Sequence, residues 1–265
     1  NYSIDNTSKV VNSFKNIIYK KIKNRGVIGK SRNIGINLSK GKWLAFLDSD
    51  DYWSKNKLQI AFRLIKEKRF DLICHSEWIL NQQTSKKKIW CYGPFTKNFY
   101  KEMLIYGNRV STSASIIKKK FIEDHKINFV EKKEYITSED YNFFLNIAHN
   151  HAKFLFLNKP LGYHLFHQES ASSNKIKHLL SEKSVINNHV YKIQNFTKNK
   201  KTLFKKITRR IDFKKKILKI KNESIKLNDI SELIKLCFQE PKIMFNCIFY
   251  YISKFLKQTV LKLIY

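Results

Sequence analysis

Trp43-Leu44-Ala45-Phe46-Leu47 is an apolar run that ends abruptly in Asp48-Ser49-Asp50-Asp51, followed by Tyr52-Trp53. The run reads as a strand, and the carboxyl ends of strands are where open α/β sheets build their ligand sites. Three carboxylates this close repel one another unless a positive charge stands among them. A hard divalent cation would do so through oxygen ligands and could hold the phosphates of a nucleotide at the same time. The chain carries only 21 acidic residues, so three gathered here stand out against the alternative of a merely acidic turn. A second acidic pair, Glu139-Asp140, opens a helical pattern. It reads either as two acids favourable to a helix N-terminus, capped by Ser138 or Thr137, or as acid–base groups. Neighbours on a helix point about 100° apart, so only one of the two can face a given reacting atom.

Such residues need elements to position them. Asn16–Ile22 and Trp43–Leu47 read as buried strands with a helix over Ser31–Ser39 between them, a β-α-β unit. Lys55–Lys68 has Leu58, Ala61, Phe62, Leu64 and Ile65 at helical spacing, and Phe70–Cys74 follows as a strand. Val110–Ile117 and Phe154–Leu157 read as further strands. Glu139–His149 places Phe143, Phe144, Ile147 and Ala148 on one helical face. The sum is an α/β domain with a largely buried sheet.

The 265 residues are 43% hydrophobic with only 7 Gly and 3 Pro, which excludes collagen-like, linker-like and broadly disordered chains. Lys+Arg number 52 against 21 Asp+Glu, a net charge of +31. That balance suits polyanionic surroundings such as acidic lipid, phosphorylated substrates or nucleic acid, and equally a genome-wide compositional bias. Residues 1–173 hold 30 basic and 15 acidic residues, residues 174–265 hold 22 and 6, so the tail carries half the excess. Leu203–Ile220 is a basic helical pattern, continued by Ile230–Phe238 and Ile243–Leu261. Two readings stand: a helical subdomain with a solvated basic face, or an amphipathic segment on anionic membrane with Phe245, Ile248, Phe249, Tyr250 and Tyr251 in the interface. Cys74, Cys91, Cys237 and Cys247 are scattered, without metal or disulfide spacing, which favours a reducing compartment. No signal peptide is visible, and the longest apolar stretch, Ile243–Ile252, is too short to span a bilayer before Lys254 and Lys257. The expected location is cytoplasmic, with peripheral contact at the inner face of the cell membrane on the second reading of the tail.

Several segments together resemble a known family. Asn24-Arg25-Gly26-Val27-Ile28-Gly29-Lys30-Ser31-Arg32-Asn33-Ile34-Gly35, then Gly41 to Trp53, then Ser138-Glu139-Asp140-Tyr141, then Lys159 to His167 and on to Ser172, is similar in order and spacing to the inverting glycosyltransferases of family 2. The resemblance covers roughly residues 1–173. It implies a GT-A, Rossmann-like nucleotide-sugar-binding domain over 1–173 and a mainly helical basic extension over 174–265. Asn1 to Thr7 resembles the family's Asp-Gly-Ser-Thr-Asp segment, with Asn1 and Tyr2 departing from it and Asp5 matching its last carboxylate. On that resemblance the family's first strand and the helix after it are expected to be absent from this chain, leaving the domain over 1–173 N-terminally incomplete.

The resemblance also implies roles. Asp48 and Asp50 form the D-x-D pair, with Asp50 on Mg²⁺ or Mn²⁺, Asp48 on the ribose or the metal, and Asp51 toward the sugar or acceptor. Arg32 and Asn24 are candidates for pyrophosphate or base contact, and Asp5 for the nucleotide. Asp140 is the expected base, with Glu139 as the fallback. His167 approaches the metal or diphosphate, with His164 a weaker candidate. Partners are a nucleotide-sugar donor and a glycan or lipid-linked acceptor, in surface polysaccharide synthesis. Competing readings are a basic nucleic-acid-binding protein, for which no recognised motif is present and whose phosphate contacts the carboxylates would oppose, and an inactive truncated remnant of the enzyme.

Overall fold

An apolar run becomes a strand only where a neighbour takes up its backbone hydrogen bonds, and that requirement sorts the expected elements. The computed structural model describes residues 3–67, 69–167, 174–194 and 199–222, with single positions at 238, 241 and 245. Its elements run α1 (Thr7–Asn12), α2 (Ile28–Leu38), β1 (Trp43–Ala45), β2 (Tyr52–Trp53), α3 (Lys57–Glu67), β3 (Leu72–Asn81), β4 (Lys87–Trp90), α4 (Phe99–Tyr106), β5 (Ser115–Lys118) and α5 (Lys119–Asp124). A 3-10 turn (Lys133–Tyr135), α6 (Glu139–His149), β6 (Phe154–Phe166), α7 (Lys175–Asn188), a π turn (His189–Ile193) and α8 (Lys200–Asn222) complete them.

The sheet is mixed, in the order β1-β5-β3-β6-β2, with β4 also paired to β3. β3 and β6 run parallel, Leu72 opposite Phe154 and Asn81 opposite Phe166, with irregular register around Ser76. β5 pairs antiparallel with the first residues of β3 and β4 with the last, so one strand serves three neighbours. Both central strands are far longer than the apolar runs that announced them, because polar residues such as His75, Glu77 and His164 continue the ladder. Conversely, Asn16–Ile22, expected as a strand, pairs with none among the described residues and leaves Ile17 and Ile18 exposed. The expected β-α-β unit therefore does not form there. Val110–Ile117 is strand only from Ser115.

α6 is buried on nearly every side, with Tyr141, Phe143, Phe144, Leu145 and Ile147 all sealed from solvent. A helix apolar all round belongs in a core. Phe143 stacks on Phe129 at 3.9 Å, and Phe46 meets both edge-on. On α3, Ala61, Leu64 and Ile65 pack with Phe70, Ile73 and Ile116, while Leu58 and Phe62 face out.

The change in charge at residue 173 is not a gap in packing. Leu179, Val185 and Ile186 of α7, Val190 of the π turn, and Ile207 and Ile211 of α8 enter the same core as Leu44 and Phe143. Arg210 on α8 forms an ion pair with Glu182 on α7 at 2.7 Å, both buried. Among the described residues no helix is long and apolar enough to cross a membrane. The helical patterns expected over Ile230–Phe238 and Ile243–Leu261, the aromatic run Phe245–Tyr251, and Gln168–Ser173 of the late motif lie essentially outside the described residues.

Candidate active site

The turn after β1 is tied down from several directions. The N–H of Asp51 donates to the carbonyl of Asp48 at 3.1 Å, closing the turn on itself. The N–H of Asp48 donates to Ser113 Oγ at 3.0 Å. The carbonyl of Ser113 accepts from Trp53 Nε1 at 3.0 Å and from Lys57 Nζ at 2.6 Å. Ser113, two residues ahead of β5, thus holds both ends of the carboxylate segment.

Arg32, on the second turn of α2, reaches this segment. Its guanidinium donates to Asp48 Oδ1 at 2.6 Å and to Glu139 Oε1 at 2.7 Å. A planar fork of fixed donors can hold two carboxylates at once, which an ammonium cannot do with the same geometry. Phe129 lies beneath it, 5.2 Å from ring centre to guanidinium carbon. Asn33 clamps the same segment, bonding both the N–H and the carbonyl of Phe129. Glu139 also accepts the N–H of Thr137 through Oε2 at 3.0 Å. Thr137 holds φ at 83°, a conformation rarely adopted by a β-branched residue. Its carbonyl accepts from His178 Nδ1 of α7 at 2.8 Å. The turn that delivers α6 is thus strained and buttressed.

Asp140 follows Glu139 and accepts from Asn108 Nδ2 at 3.1 Å. Part of its side chain still meets solvent, yet the crowded surroundings and the neighbouring Glu139 push its carboxyl up to about 7, against the pull of Arg32. Asp50 is 40% exposed and lies 3.3 Å from His167 Nε2.

The first 125 residues match the family model described as glycosyl transferase family 2. Over that stretch the chain is similar to glycosyltransferase family 2. Over 187 residues it is 29% identical to the Escherichia coli UDP-Glc:alpha-D-GlcNAc-diphosphoundecaprenol beta-1,3-glucosyltransferase WfaP, covering 69% of this chain and 70% of that protein. It is 30% identical over 144 residues to the amylovoran biosynthesis glycosyltransferase AmsB of Erwinia amylovora, covering 51% of this chain and 46% of that one. Among solved structures it is similar to S. aureus TarS 1-349 in complex with UDP-GlcNAc, with a TM-score of 0.56 at 18% identity over 89% of this chain and 68% of that chain. At that identity the likeness establishes the GT-A fold.

On this fold the expected site residues divide. Arg32, Asp48, Glu139 and Asp140 are brought together, and Asp50 meets His167. Asp51 is not delivered to an open cleft: its side chain is 1% exposed, with Oδ1 accepting the N–H of Leu165 at 3.1 Å and His164 Nδ1 within 3.3 Å. Burial opposes its ionisation, but His164 together with Ser113 and Leu165 outweighs burial and holds it below the ordinary carboxylate range. The same hydrogen bond pushes His164 up to about 9 against its own burial. Asp51 and His164 therefore form an ion pair joining the carboxylate turn to β6. The side chain of Asn24 closes its own turn, accepting from the N–H of Gly26 and donating to Ser31 Oγ. Asp5 is exposed and accepts from the N–H of Thr7, closing its own turn.

Sequence reasoning missed a buried polar group beneath the turn. Lys57 is fully buried over the Trp53 ring at 4.0 Å, and burial pushes its ammonium down to about 7 despite Glu77 and Asp51. Glu77, raised by burial, accepts from Tyr92 Oη at 2.7 Å. His75 is pushed down to about 3 by burial and then by Lys57, so it stays neutral. The only sequence signal was Trp53 and Lys57 at an i,i+4 spacing.

Among the described residues no three His, Cys, Asp or Glu side chains gather to hold a metal ion. Asp50 and His167 are two adjacent, partly exposed donors. Of the two, the Asp50 carboxylate is the donor that suits a Mg²⁺-like ion, which binds one or two carboxylates and fills its remaining positions with phosphate oxygens and water; the His167 imidazole could at most be an auxiliary ligand.

Proposed function

We propose that this chain is a metal-dependent, inverting family 2 glycosyltransferase that moves a sugar from a nucleotide-sugar donor to a glycan or lipid-linked acceptor in surface polysaccharide synthesis. The observation that carries it is the Arg32 fork, which ties the carboxylate turn at Asp48 to the head of α6, where Asp140 stands. Donor-side carboxylates and a candidate base are thereby held in one place although far apart in sequence.

In this reading Asp140 takes the proton of the acceptor hydroxyl, whose oxygen bonds to the anomeric carbon. The bond from that carbon to the phosphate oxygen breaks on the opposite face, and the nucleoside diphosphate leaves with the electron pair. A carboxyl poised near neutrality suits a base working at ordinary pH. Asp50, with His167 as an auxiliary ligand, would hold the cation, which supplies positive charge to the departing diphosphate. Arg32 orients Asp48 and Glu139, and its charge keeps the cluster of acids tolerable. The activities for which WfaP, with a UDP-glucose donor and a diphosphoundecaprenol-linked acceptor, and AmsB, in amylovoran biosynthesis, are named support a lipid-linked or glycan acceptor.

The tail serves this chemistry by bringing the enzyme to anionic membrane. α8 carries Lys200, Lys201, Lys205, Lys206, Lys214 and Lys215, and basic side chains near an acidic surface contribute about 1 kcal/mol each.

The test is transfer from radiolabelled UDP-glucose and UDP-N-acetylglucosamine to undecaprenyl-diphosphate-linked acceptors, with Mg²⁺ or Mn²⁺, comparing the chain with Asp140→Asn. Product of inverted anomeric configuration that vanishes in the variant is the expected result. Product of retained configuration, or full activity in Asp140→Asn, overturns the mechanism.

A further inference from the structure

The surroundings of Asp140 are dominated by charge. Glu139 precedes it, Arg32 acts on it from α2 and Asp48 from the turn after β1, and the Tyr141 N–H lies against it. Asn108 adds something different: an uncharged donor, 3.1 Å from Asp140 Oδ2. We propose that Asn108 is a positioning residue for Asp140, its amide donating to one carboxylate oxygen and leaving the other to take the acceptor's proton. This rests on the reading of Asp140 as the base.

The geometry of Asn108 is over-determined, which an incidental surface contact would not require. Its Oδ1 accepts the N–H of Val110 at 3.1 Å, so the amide is used at both ends. Turning the amide over would set oxygen against the Asp140 carboxylate and NH₂ against an N–H. The backbone leading to it is equally constrained. Gly107 ends α4 with its N–H on the Met103 carbonyl at 2.8 Å and with φ at +97°, a conformation that favours glycine. A Cβ on Gly107 would lie 3.0 Å from Glu182 Oε1 and 3.3 Å from Arg210 Nη1. The buried Arg210–Glu182 ion pair of α8 and α7 is thus the wall against which this corner is built. The basic C-terminal helices fix the point from which Asn108 reaches the base.

A neutral donor has a chemical advantage here. A cation paired with Asp140 at this distance would favour ionisation so strongly that the carboxylate became a poor base. An amide favours the ionised form modestly and sets the direction of the free lone pairs.

The test uses the full chain labelled with ¹³C at the aspartate carboxyls, in wild type, Asn108→Ala and Asn108→Asp, with Asp140→Asn to assign the signal. Asn108 is exposed, so both variants should still fold, with melting at pH 4.5, where Asp140 is protonated in every variant, close to that of the wild type. Removing the donor should raise the Asp140 midpoint by about half a pH unit, and placing a carboxylate there by about one unit or more. In pH–rate profiles with UDP-sugars the acid limb should move with it. The expected loss is up to about tenfold at pH 6 in Asn108→Asp, with the donor KM unchanged. An Asp140 midpoint that does not move in Asn108→Asp overturns the proposal. A midpoint that moves while Asp140→Asn retains full transfer overturns the base assignment, and the catalytic role of Asn108 falls with it by a visibly different result.

Discussion

Arg32 and Glu139 stand 107 residues apart in the chain and meet at 2.7 Å, on a guanidinium that also holds Asp48. The arrangement makes one cation the hinge between the carboxylate turn and the helix bearing the candidate base. Its energetics follow from burial: the Arg32 side chain is 12% exposed and that of Glu139 is 7%. Removing one member of such a group leaves charge uncompensated in a poorly solvated place.

Arg32→Met should therefore lower stability by about 3 kcal/mol and reduce kcat by at least about tenfold through loss of alignment. Arg32→Lys should recover stability better than rate, because an ammonium replaces the charge but not the two-armed geometry. Urea denaturation and steady-state transfer measured side by side separate the two effects. Equal recovery of both in Arg32→Lys contradicts this account.

Asp140→Asn should abolish turnover and also stabilise the protein at pH 8. The folded-state value of about 7 lies above the ordinary 3.8. Between those values the folded protein holds a proton that the unfolded chain has released, so wild-type stability falls as pH rises from about 4 to about 7. Allowing for partial solvent contact, the variant should gain about 2 kcal/mol at pH 8, vanishing toward pH 4. Denaturation midpoints at pH 4.5 and 8 check this, and an equal difference at both would refute it.

The buried ammonium of Lys57 gives the opposite slope. Its folded value of about 7 lies below the ordinary 10.5, so the unfolded chain binds the extra proton and stability rises from about pH 7 to about pH 10. Lys57→Met should flatten that rise, while the Ser113 carbonyl loses its donor and the carboxylate turn loosens. The measurement is unfolding free energy against pH for the two proteins.

Chelation should stop transfer, and Mg²⁺ or Mn²⁺ should restore it. Asp50→Asn should lose most turnover even with excess metal, while His167→Ala should raise the metal concentration needed for half-maximal rate. Activity that persists in saturating EDTA would remove the metal from the reaction.

The whole chain should sediment with vesicles containing anionic lipid and less so at higher salt, as a basic surface requires. Reversing Lys205 and Lys206 to Glu should weaken sedimentation without changing the fold, since both project from the exposed side of α8. Equal recovery with neutral and acidic vesicles would leave the basic residues without this role.

The primary sequence by itself determined the chemistry on offer and much of its support. An apolar run ending in Asp48, Asp50 and Asp51 announces a carboxylate turn because strands end where polar residues begin. The phenylalanines of Glu139–His149 announce a buried helix with two acids at its head. Those are local properties, legible because side-chain periodicity and the end of an apolar run depend only on neighbours in the chain. What tertiary structure alone decided is which charges meet. Nothing local in Arg32 says that it bridges Asp48 and Glu139, or that Asp51 turns inward to His164 while Asp50 stays near His167. Nothing in Asn16–Ile22 reveals that no strand among the described residues pairs with it, since a ladder depends on a partner elsewhere. Lys57 reads as an ordinary helix lysine, yet the packing of α3 beneath Trp53 removes it from water and changes its proton affinity. Pairing, burial and desolvation are properties of the assembled chain, because each depends on distances that only the fold sets.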